Sequence, residues 1–91
     1  MYLRVTHGRY HRDHEAAILR LAREVLLPNA RLLPGFRGFQ VGIDREAGRL
    51  VGVTVWETRE YAEALAAARG PFEALGVEFE APLIYELVAS A

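Results

Sequence analysis

The spacing of apolar residues divides the chain into six predicted elements. A two-residue period, typical of strands with one buried face, runs through residues 2–9, twice through residues 33–57, and again through residues 77–88. A period near that of an α-helix runs through residues 13–27 and 59–69. The predicted order is therefore β-α-β-β-α-β, with the hairpin of residues 33–57 at its centre.

Each predicted strand presents two different faces. In the first strand, Leu3, Val5 and His7 share the face that we expect to pack into the core. In each hairpin strand, one face is bulky and the other is interrupted by glycine, and we expect the glycine gaps of both strands to share one face of the sheet. The bulky residues are Phe39, Val41, Ile43, Val51, Val53 and Val55, and the residues of the gapped faces are Gly38, Gln40, Gly42, Gly52, Thr54 and Trp56. Pro82 has no N–H to donate, so we expect the last strand to lie at a sheet edge or to bend there.

The ends of both helices are indicated by their flanking residues. Asp13 is predicted to cap the first helix, and Pro28 to end or kink it near Leu27. Thr58 is predicted to cap the second. The inward stripe of the first helix comprises His14, Ala17, Ile18, Leu21, Ala22, Val25 and Leu26, and that of the second comprises Tyr61, Leu65, Ala68, Phe72 and Leu75.

The element order matches the ferredoxin-like plan, an α+β fold. We predict a four-stranded antiparallel sheet with two helices on one face. The other face would expose valine or phenylalanine side chains that one chain cannot cover. Because a two-fold dimer with sheets packed face to face is the simplest closed arrangement, we predict a homodimer formed through this sheet face.

Composition narrows the class of protein. A length of 91 residues predicts a single domain covering residues 1–91. A hydrophobic fraction of 52% with 25% charged residues argues against both disorder and a membrane protein. The net charge of −1 argues against a nucleic-acid-binding surface. Neither a membrane-spanning segment nor a signal-peptide pattern is present, so the expected location is the cytoplasm.

Missing residue types exclude several reaction mechanisms. The chain has no cysteine and no lysine, which removes thiolate and Schiff-base chemistry. The one serine, Ser90, lies next to the last residue, which argues against a serine triad.

Histidines are the main candidates for acid–base chemistry. His7 near the end of the first strand and His14 at the start of the first helix would lie at one cavity mouth, and either imidazole could act as a base near neutral pH. The alternative is that both make ordinary boundary hydrogen bonds. No metal site is predicted from His7, His11 and His14, because no carboxylate accompanies them at a recognised spacing.

The hairpin carries a family resemblance. The segment Pro-Gly-Phe-Arg-Gly-Phe at 34–39, the turn from Asp44 to Gly48, and Val-Thr-Val-Trp-Glu at 53–57 resemble the dimeric α/β-barrel proteins. They are most similar to the antibiotic-biosynthesis-monooxygenase (ABM) group. The resemblance implies a homodimer in which each subunit has its own cavity between the sheet and the helices. It also implies, for some members, oxidation of polyaromatic compounds by molecular oxygen without metal or organic cofactor.

Heme-degrading relatives are a poorer match. They have an asparagine where this chain has His7, and a tryptophan and a histidine on the second helix, which residues 59–75 lack. The quinone-forming members share a third-strand tryptophan and polar cavity residues, for which Trp56, Tyr61 and His7 are the nearest candidates.

The resulting hypothesis is a cofactor-independent monooxygenase of a small aromatic or quinol-like compound. Its predicted catalytic residues are His7 and His14, and its predicted ligand-binding residues are Trp56, Tyr61, Gln40 and Thr54, with no cofactor and no metal. The alternative is a non-catalytic domain of the same fold that binds a small ligand or serves dimerisation. On that alternative, side chains such as Ile18, Leu21, Leu65 and Phe72 would fill the space between sheet and helices.

Overall fold

The computed structural model of the chain describes residues 1–64 and 69–91, which form an antiparallel sheet with helices on one face. The strands are β1 (Tyr2–Arg9), β2 (Phe36–Asp44), β3 (Arg49–Trp56), β4 (Glu78–Phe79) and β5 (Leu83–Glu86). Their order is β2-β3-β1-β4, and β5 pairs with β1 beside β4. The ferredoxin-like α+β fold predicted from the sequence is confirmed.

The predicted last strand is divided into two short pieces. Both β4 and β5 pair with β1 on the side opposite β3, so together they fill one edge position of a sheet that is four strands wide. The interruption falls at residues 80–82, where Pro82 cannot donate to the ladder. The edge placement predicted from this proline is confirmed.

The helical segments lie in the two crossover connections, one between β1 and β2 and the other between β3 and β4. The first crossover contains a 3₁₀ turn (Arg12–His14), α1 (Glu15–Leu21), a π-helical segment (Ala22–Leu26) and α2 (Leu27–Ala30). The second contains α3 (Arg59–Glu63) and α4 (Gly70–Glu73). No helix within residues 1–64 or 69–91 is long and apolar enough to cross a membrane.

The first helical segment begins and ends differently from the sequence prediction. His11, not Asp13, is the N-terminal cap, because its Nδ1 accepts a hydrogen bond from the Asp13 backbone N–H. The helix also continues through Pro28 to Ala30. The preceding π segment widens the turn so that Leu27 N–H bonds to Ala22 O, and Pro28 then occupies a first-turn position where no N–H is needed.

The second crossover confirms one cap and leaves part of a prediction outside the described residues. Thr58 accepts a hydrogen bond from the Tyr61 backbone N–H and caps α3, as predicted. The helix is described as far as Glu63, and helical structure resumes at α4. The predicted stripe members Leu65 and Ala68 lie outside the described residues.

Strand pairing distributes the glycines over both faces of the sheet. Gly38 is opposite Val55 and Gly42 is opposite Val51, whereas Gly52 is opposite Val41. Directly paired residues of antiparallel strands share a face, so the gapped face of β2 lies on the same side as the bulky face of β3. The expectation that the glycine gaps share one sheet face is therefore wrong.

The face of β1 that packs under the helices is the opposite of the one predicted. Arg4 and Gly8 are buried there, while Leu3 and Val5 are only half-buried on the other side and His7 is exposed. The buried core between sheet and helices consists of Tyr10, Ile18, Ala22, Leu50, Phe72 and Val77. Apolar alternation in β1 marks the outer side of the sheet, because the helices cover the more polar side.

The outer face of the sheet is a continuous apolar surface. We define it by Leu3, Val5, Val51, Val53, Val55, Leu83 and Tyr85, which the strand registers place on the side away from the helices. Leu83 is 46% exposed and Tyr85 is 51% exposed. No described element of the chain covers this face.

A hydrogen bond between Tyr10 and Glu15 predicts a specific acid sensitivity. Tyr10 Oη donates to Glu15 Oε1 at 2.7 Å, and Arg45 Nε donates to Glu15 Oε2 at 3.1 Å. The hydrogen bond from Tyr10, followed by Arg45, lowers the pKa of the Glu15 carboxyl below its ordinary value. The pair therefore stabilises the fold above the unfolded-state pKa of about 4.3, and this contribution is lost as pH falls through the folded-state value.

We expect Tyr10→Phe to reduce the difference between urea midpoints measured at about pH 7 and about pH 3, because the variant retains less of the acid-labile contribution. Tyr61→Phe, which alters a ring that is 37% exposed and packs against Gly35, is the matched control and should behave like the wild type. An unchanged pH difference in Tyr10→Phe would contradict the assignment.

Candidate functional site

A cavity lies between the sheet and the helices, and we call it the helix-side cavity. Its volume is about 70 Å³ and one side is open. Its apolar lining comprises Ile18, Leu26, Phe39, Val41, Leu50, Phe72 and Phe79, and its remaining lining comprises Arg4, Thr6, Gly52, Thr54 and Arg69. An apolar wall with a few polar groups is the usual composition of a small-molecule site.

Gly52 leaves room in the floor of this cavity. Apart from Gly52 and its two chain neighbours, no heavy atom of the described residues lies within 4 Å of the position that a Cβ would occupy on Gly52. Its cross-strand neighbours are Thr6 on β1 and Val41 on β2, and both line the same cavity. A strand residue with a side chain at this position would project into the space, so the glycine contributes directly to the cavity volume.

Arg4 and Thr54 form a buried polar pair on the cavity floor. They are directly opposite each other in the β1–β3 register, and each is only 5% exposed. Arg4 Nη1 donates to Ala62 O at 2.8 Å, so the guanidinium reaches from the sheet to α3. Thr54 Oγ1 accepts from Trp56 Nε1 at 2.7 Å, which leaves the hydroxyl hydrogen of Thr54 available to donate to another group.

Arg69 adds a second guanidinium to the cavity wall. Its Nη2 donates to Glu80 O, and its Cζ lies 5.0 Å from the centre of the Phe79 ring. Its Nε is buried and has no acceptor among residues 1–64 and 69–91. Burial, and then the neighbouring positive charge of Arg69, lower the pKa of Arg4. The site is thus rich in hydrogen-bond donors set in apolar surroundings.

Trp56 does not line the cavity, but it supports Thr54, which does. Its side chain is 1% exposed and packs edge-to-face on Phe36 with ring centroids 5.8 Å apart. Its indole N–H is used by Thr54. In this arrangement the tryptophan holds the Thr54 hydroxyl in place.

The other predicted site residues lie apart from the cavity. Gln40 pairs with Val53 and His7 pairs with Val51, so both belong to the outer side of the sheet. His14 precedes α1 and is exposed, with its ring 6.3 Å from that of His11. Tyr61 is 37% exposed and packs against Gly35, which has a positive φ. Of the six predicted site residues, Thr54 is the one that lines the helix-side cavity.

His11 Nδ1 lies 3.5 Å from Asp13 Oδ2 and the His14 ring lies beside that of His11, whereas His7 lies on the outer side of the sheet. Within residues 1–64 and 69–91, no three histidine, aspartate or glutamate side chains come together as metal ligands. The predicted roles of His7 and His14 as bases, and of the others as ligand contacts, stay predictions.

Three polar residues of the cavity, Arg4, Thr6 and Arg69, were missed by sequence reasoning. Arg4 and Thr6 alternate with Leu3 and Val5, and the apolar set was the one expected to face the core. The available signal was the crossover plan itself, since two helices must cover one sheet face and β1 is central in the ferredoxin-like order. A central strand is covered on at least that face, so its polar residues there are candidates for a site.

Comparison with known proteins identifies the fold. The sequence matches no protein-family model, and no curated protein matches it. Solved structures do match. A candidate antibiotic biosynthesis monooxygenase from Deinococcus radiodurans superposes with a TM-score of 0.77 at 17% identity, covering 100% of this chain and 96% of that one.

Two further matches come from Streptomyces. The ActVA-Orf6 monooxygenase of Streptomyces coelicolor, solved in complex with nanaomycin D, gives a TM-score of 0.70 at 14% identity, covering 99% of this chain and 89% of that one. SnoaB of Streptomyces nogalater, a cofactor-independent oxygenase solved in a mutant form, gives 0.66 at 17% identity, covering 98% and 94%. The resemblance inferred from the hairpin is thus confirmed as one of fold: the chain has the fold of the antibiotic biosynthesis monooxygenase structures that it matches.

Proposed function

We propose that this protein is a cofactor-independent monooxygenase that binds a small aromatic or quinol-like compound in the helix-side cavity. The observation that carries the proposal is the cavity itself, with phenylalanine and aliphatic walls and buried donors at Arg4 and Thr54. The fold shared with a cofactor-independent oxygenase and with a monooxygenase solved in complex with nanaomycin D supports it.

The proposed reaction needs no external reductant, because the aromatic compound supplies the electrons. One atom of O₂ replaces the hydrogen on a ring carbon, which becomes a carbonyl carbon. The phenolic carbon becomes the second carbonyl when its hydroxyl loses hydrogen. The two displaced hydrogens leave with the other oxygen atom as water, so a phenol and O₂ give a quinone and water.

The residues of the chain would bind and orient the compound. Phe39, Phe72 and Phe79 provide apolar contact for an aromatic ring and keep water away from it. The Thr54 hydroxyl can donate to a ring oxygen, and Arg4 can stabilise negative charge that develops there. His7 and His14 are retained as proposed bases, although they do not line the cavity of the single chain.

Filling the cavity from Gly52 tests where the compound binds. We expect the series Gly52→Ala, Gly52→Val and Gly52→Leu to weaken binding of 1-naphthol progressively, with Gly52→Leu losing at least about tenfold, because each added side chain projects into the cavity. Calorimetric titration measures the affinity, and thermal melts of Gly52→Ala should show little loss of stability, since the added Cβ meets no heavy atom of the described residues within 4 Å. Equal affinities across the series would place the ligand elsewhere.

Oxygen uptake tests the reaction. We expect uptake with 1-naphthol or substituted hydroquinones in chelator-treated buffer, with equal molar amounts of O₂ consumed and quinone formed from 1-naphthol. Thr54→Val, which keeps the side-chain shape and removes the donor, should lower the rate by about tenfold or more. Binding without uptake would favour the alternative of a non-catalytic ligand-binding domain.

The same assay applied to His7→Ala and His14→Ala tests the two imidazoles. A fall in rate with retained binding would support a base role for that histidine, and an unchanged rate would remove it from the mechanism.

We also propose that residues 1–91 act as a single domain that forms a homodimer through the outer face. The support is the row of valines on β3 together with Leu3, Leu83 and Tyr85, which are exposed or half-buried. An apolar surface of this extent usually marks an interaction site. A second copy satisfies it with a closed two-fold contact. The cytoplasmic location expected from the sequence stays a prediction.

A charge on the outer face should separate the subunits. We expect the wild type to sediment as a dimer at micromolar concentration and Val53→Asp to sediment as a monomer, because each interface would bury two unpaired carboxylates. Ala16→Asp, on the exposed surface of α1, is the matched control and should remain dimeric. A wild-type monomer at these concentrations would contradict the proposal.

A further inference from the structure

The helix-side cavity contains a positive charge that the described protein does not neutralise. Arg4 is 5% exposed, and its acceptors among the described residues are the backbone carbonyls of Ala62 and Glu63. A buried charge is costly unless an opposite charge or several hydrogen bonds compensate it. Two neutral carbonyls on one nitrogen compensate it only in part.

Arg69 makes the imbalance larger. Its guanidinium lies close enough for its charge to disfavour the charged form of Arg4. The backbone carbonyl of Glu80 and the face of the Phe79 ring partly compensate the positive charge of Arg69. The buried Nε of Arg69 has no acceptor in the described residues. Like charges repel more strongly in apolar surroundings than in water. Two guanidinium groups facing one apolar cavity are therefore stabilised by an anion placed between them.

No carboxylate among the described residues forms an ion pair with either of these two arginines. Within residues 1–64 and 69–91, the arginine–carboxylate ion pairs are Arg37–Glu57, Arg45–Glu15 and Arg59–Glu63. Neither Arg4 nor Arg69 takes part in them. The cavity lining contains no aspartate or glutamate among its described residues.

A purely structural role accounts for only part of this arrangement. The carbonyls of Ala62 and Glu63 lie at the end of α3, so Arg4 also caps a helix C-terminus, a position that favours a positive charge. That role uses Nη1 alone. It explains neither the second guanidinium at Arg69 nor its unpaired Nε.

We propose that the ligand of the helix-side cavity is an aromatic carboxylate whose two oxygens accept hydrogen bonds from Arg4 and Arg69. The planar fork of a guanidinium matches the two oxygens of a carboxylate, and charge-assisted hydrogen bonds of this type are the strongest available to the site. The Thr54 hydroxyl donates to the same group or to a ring oxygen, and the ring contacts Phe39 and Phe72. This inference rests on the proposed function and specifies the substrate class.

The test compares two probes of nearly equal shape and different charge. Calorimetric titration of the full chain with 4-hydroxybenzoate and with 4-hydroxybenzamide at about pH 7 should show the carboxylate binding at least about tenfold more tightly. Arg69→Gln should reduce this ratio severalfold by weakening binding of the carboxylate alone, while the remaining Arg4 keeps the ratio above one. Arg23→Gln, an exposed arginine of the π segment, is the matched control and should preserve the ratio.

Arg4→Gln provides a second variant, and its loss of folding would leave the test intact because the wild-type ratio and Arg69→Gln decide the outcome. Equal binding of the two probes by the wild type, or an unchanged ratio in Arg69→Gln, would overturn the inference. Equal binding together with oxidation of 1-naphthol would leave the proposed function standing while removing the carboxylate. If neither probe binds, the inference is overturned. If the same preparation also neither binds 1-naphthol nor takes up oxygen, the proposed function is overturned as well.

Discussion

The register between β1 and β3 is the constraint on which the rest of the structure depends. It pairs Arg4 with Thr54 and Thr6 with Gly52 under the helices, and it places the apolar residues of β1 beside valines on the outer side. A shift of one residue would exchange the two sets, because side chains alternate between faces with a period of two. The position of the cavity, its donors and the apolar outer face all follow from this single pairing. A small domain can accommodate a polar cavity more easily when its second face is also buried.

The fold was predictable from the sequence because its signals are local. Thr58 caps α3, Gly48 takes a positive φ in the hairpin turn, and Pro82 interrupts the edge strand, each for reasons confined to a few neighbouring residues. The end of the first helical segment was not predictable in this way. Pro28 continues the helix because a π turn five residues long precedes it, and that adjustment depends on hydrogen bonding across the whole segment.

The site was less predictable because it depends on which face of a strand the helices cover. Alternation in β1 separates Leu3 and Val5 from Arg4 and Thr6, but periodicity alone does not state which set is inside. The usual assumption that the apolar set faces the core is wrong here, because Leu3 and Val5 lie on the outer face. His7 belongs to the same set and therefore lies away from the cavity. Thr54, a predicted ligand-binding residue on the glycine-gapped face of β3, does line the cavity because that face of β3 is the one under the helices.

Gly52 and Arg4 together indicate a ligand site, which packing considerations alone would not reveal. Side chains along a central strand stabilise the fold by packing, so a glycine there weakens it. A buried arginine without an opposite charge also destabilises the fold. This chain departs from both preferences at neighbouring positions on one face, since Gly52 lies beside Thr6 and Thr54 lies beside Arg4. Departures from local rules concentrate where a protein binds or transforms a ligand. Space without a side chain, next to positive charge without a counter-charge, is the arrangement that a flat anionic molecule would complete.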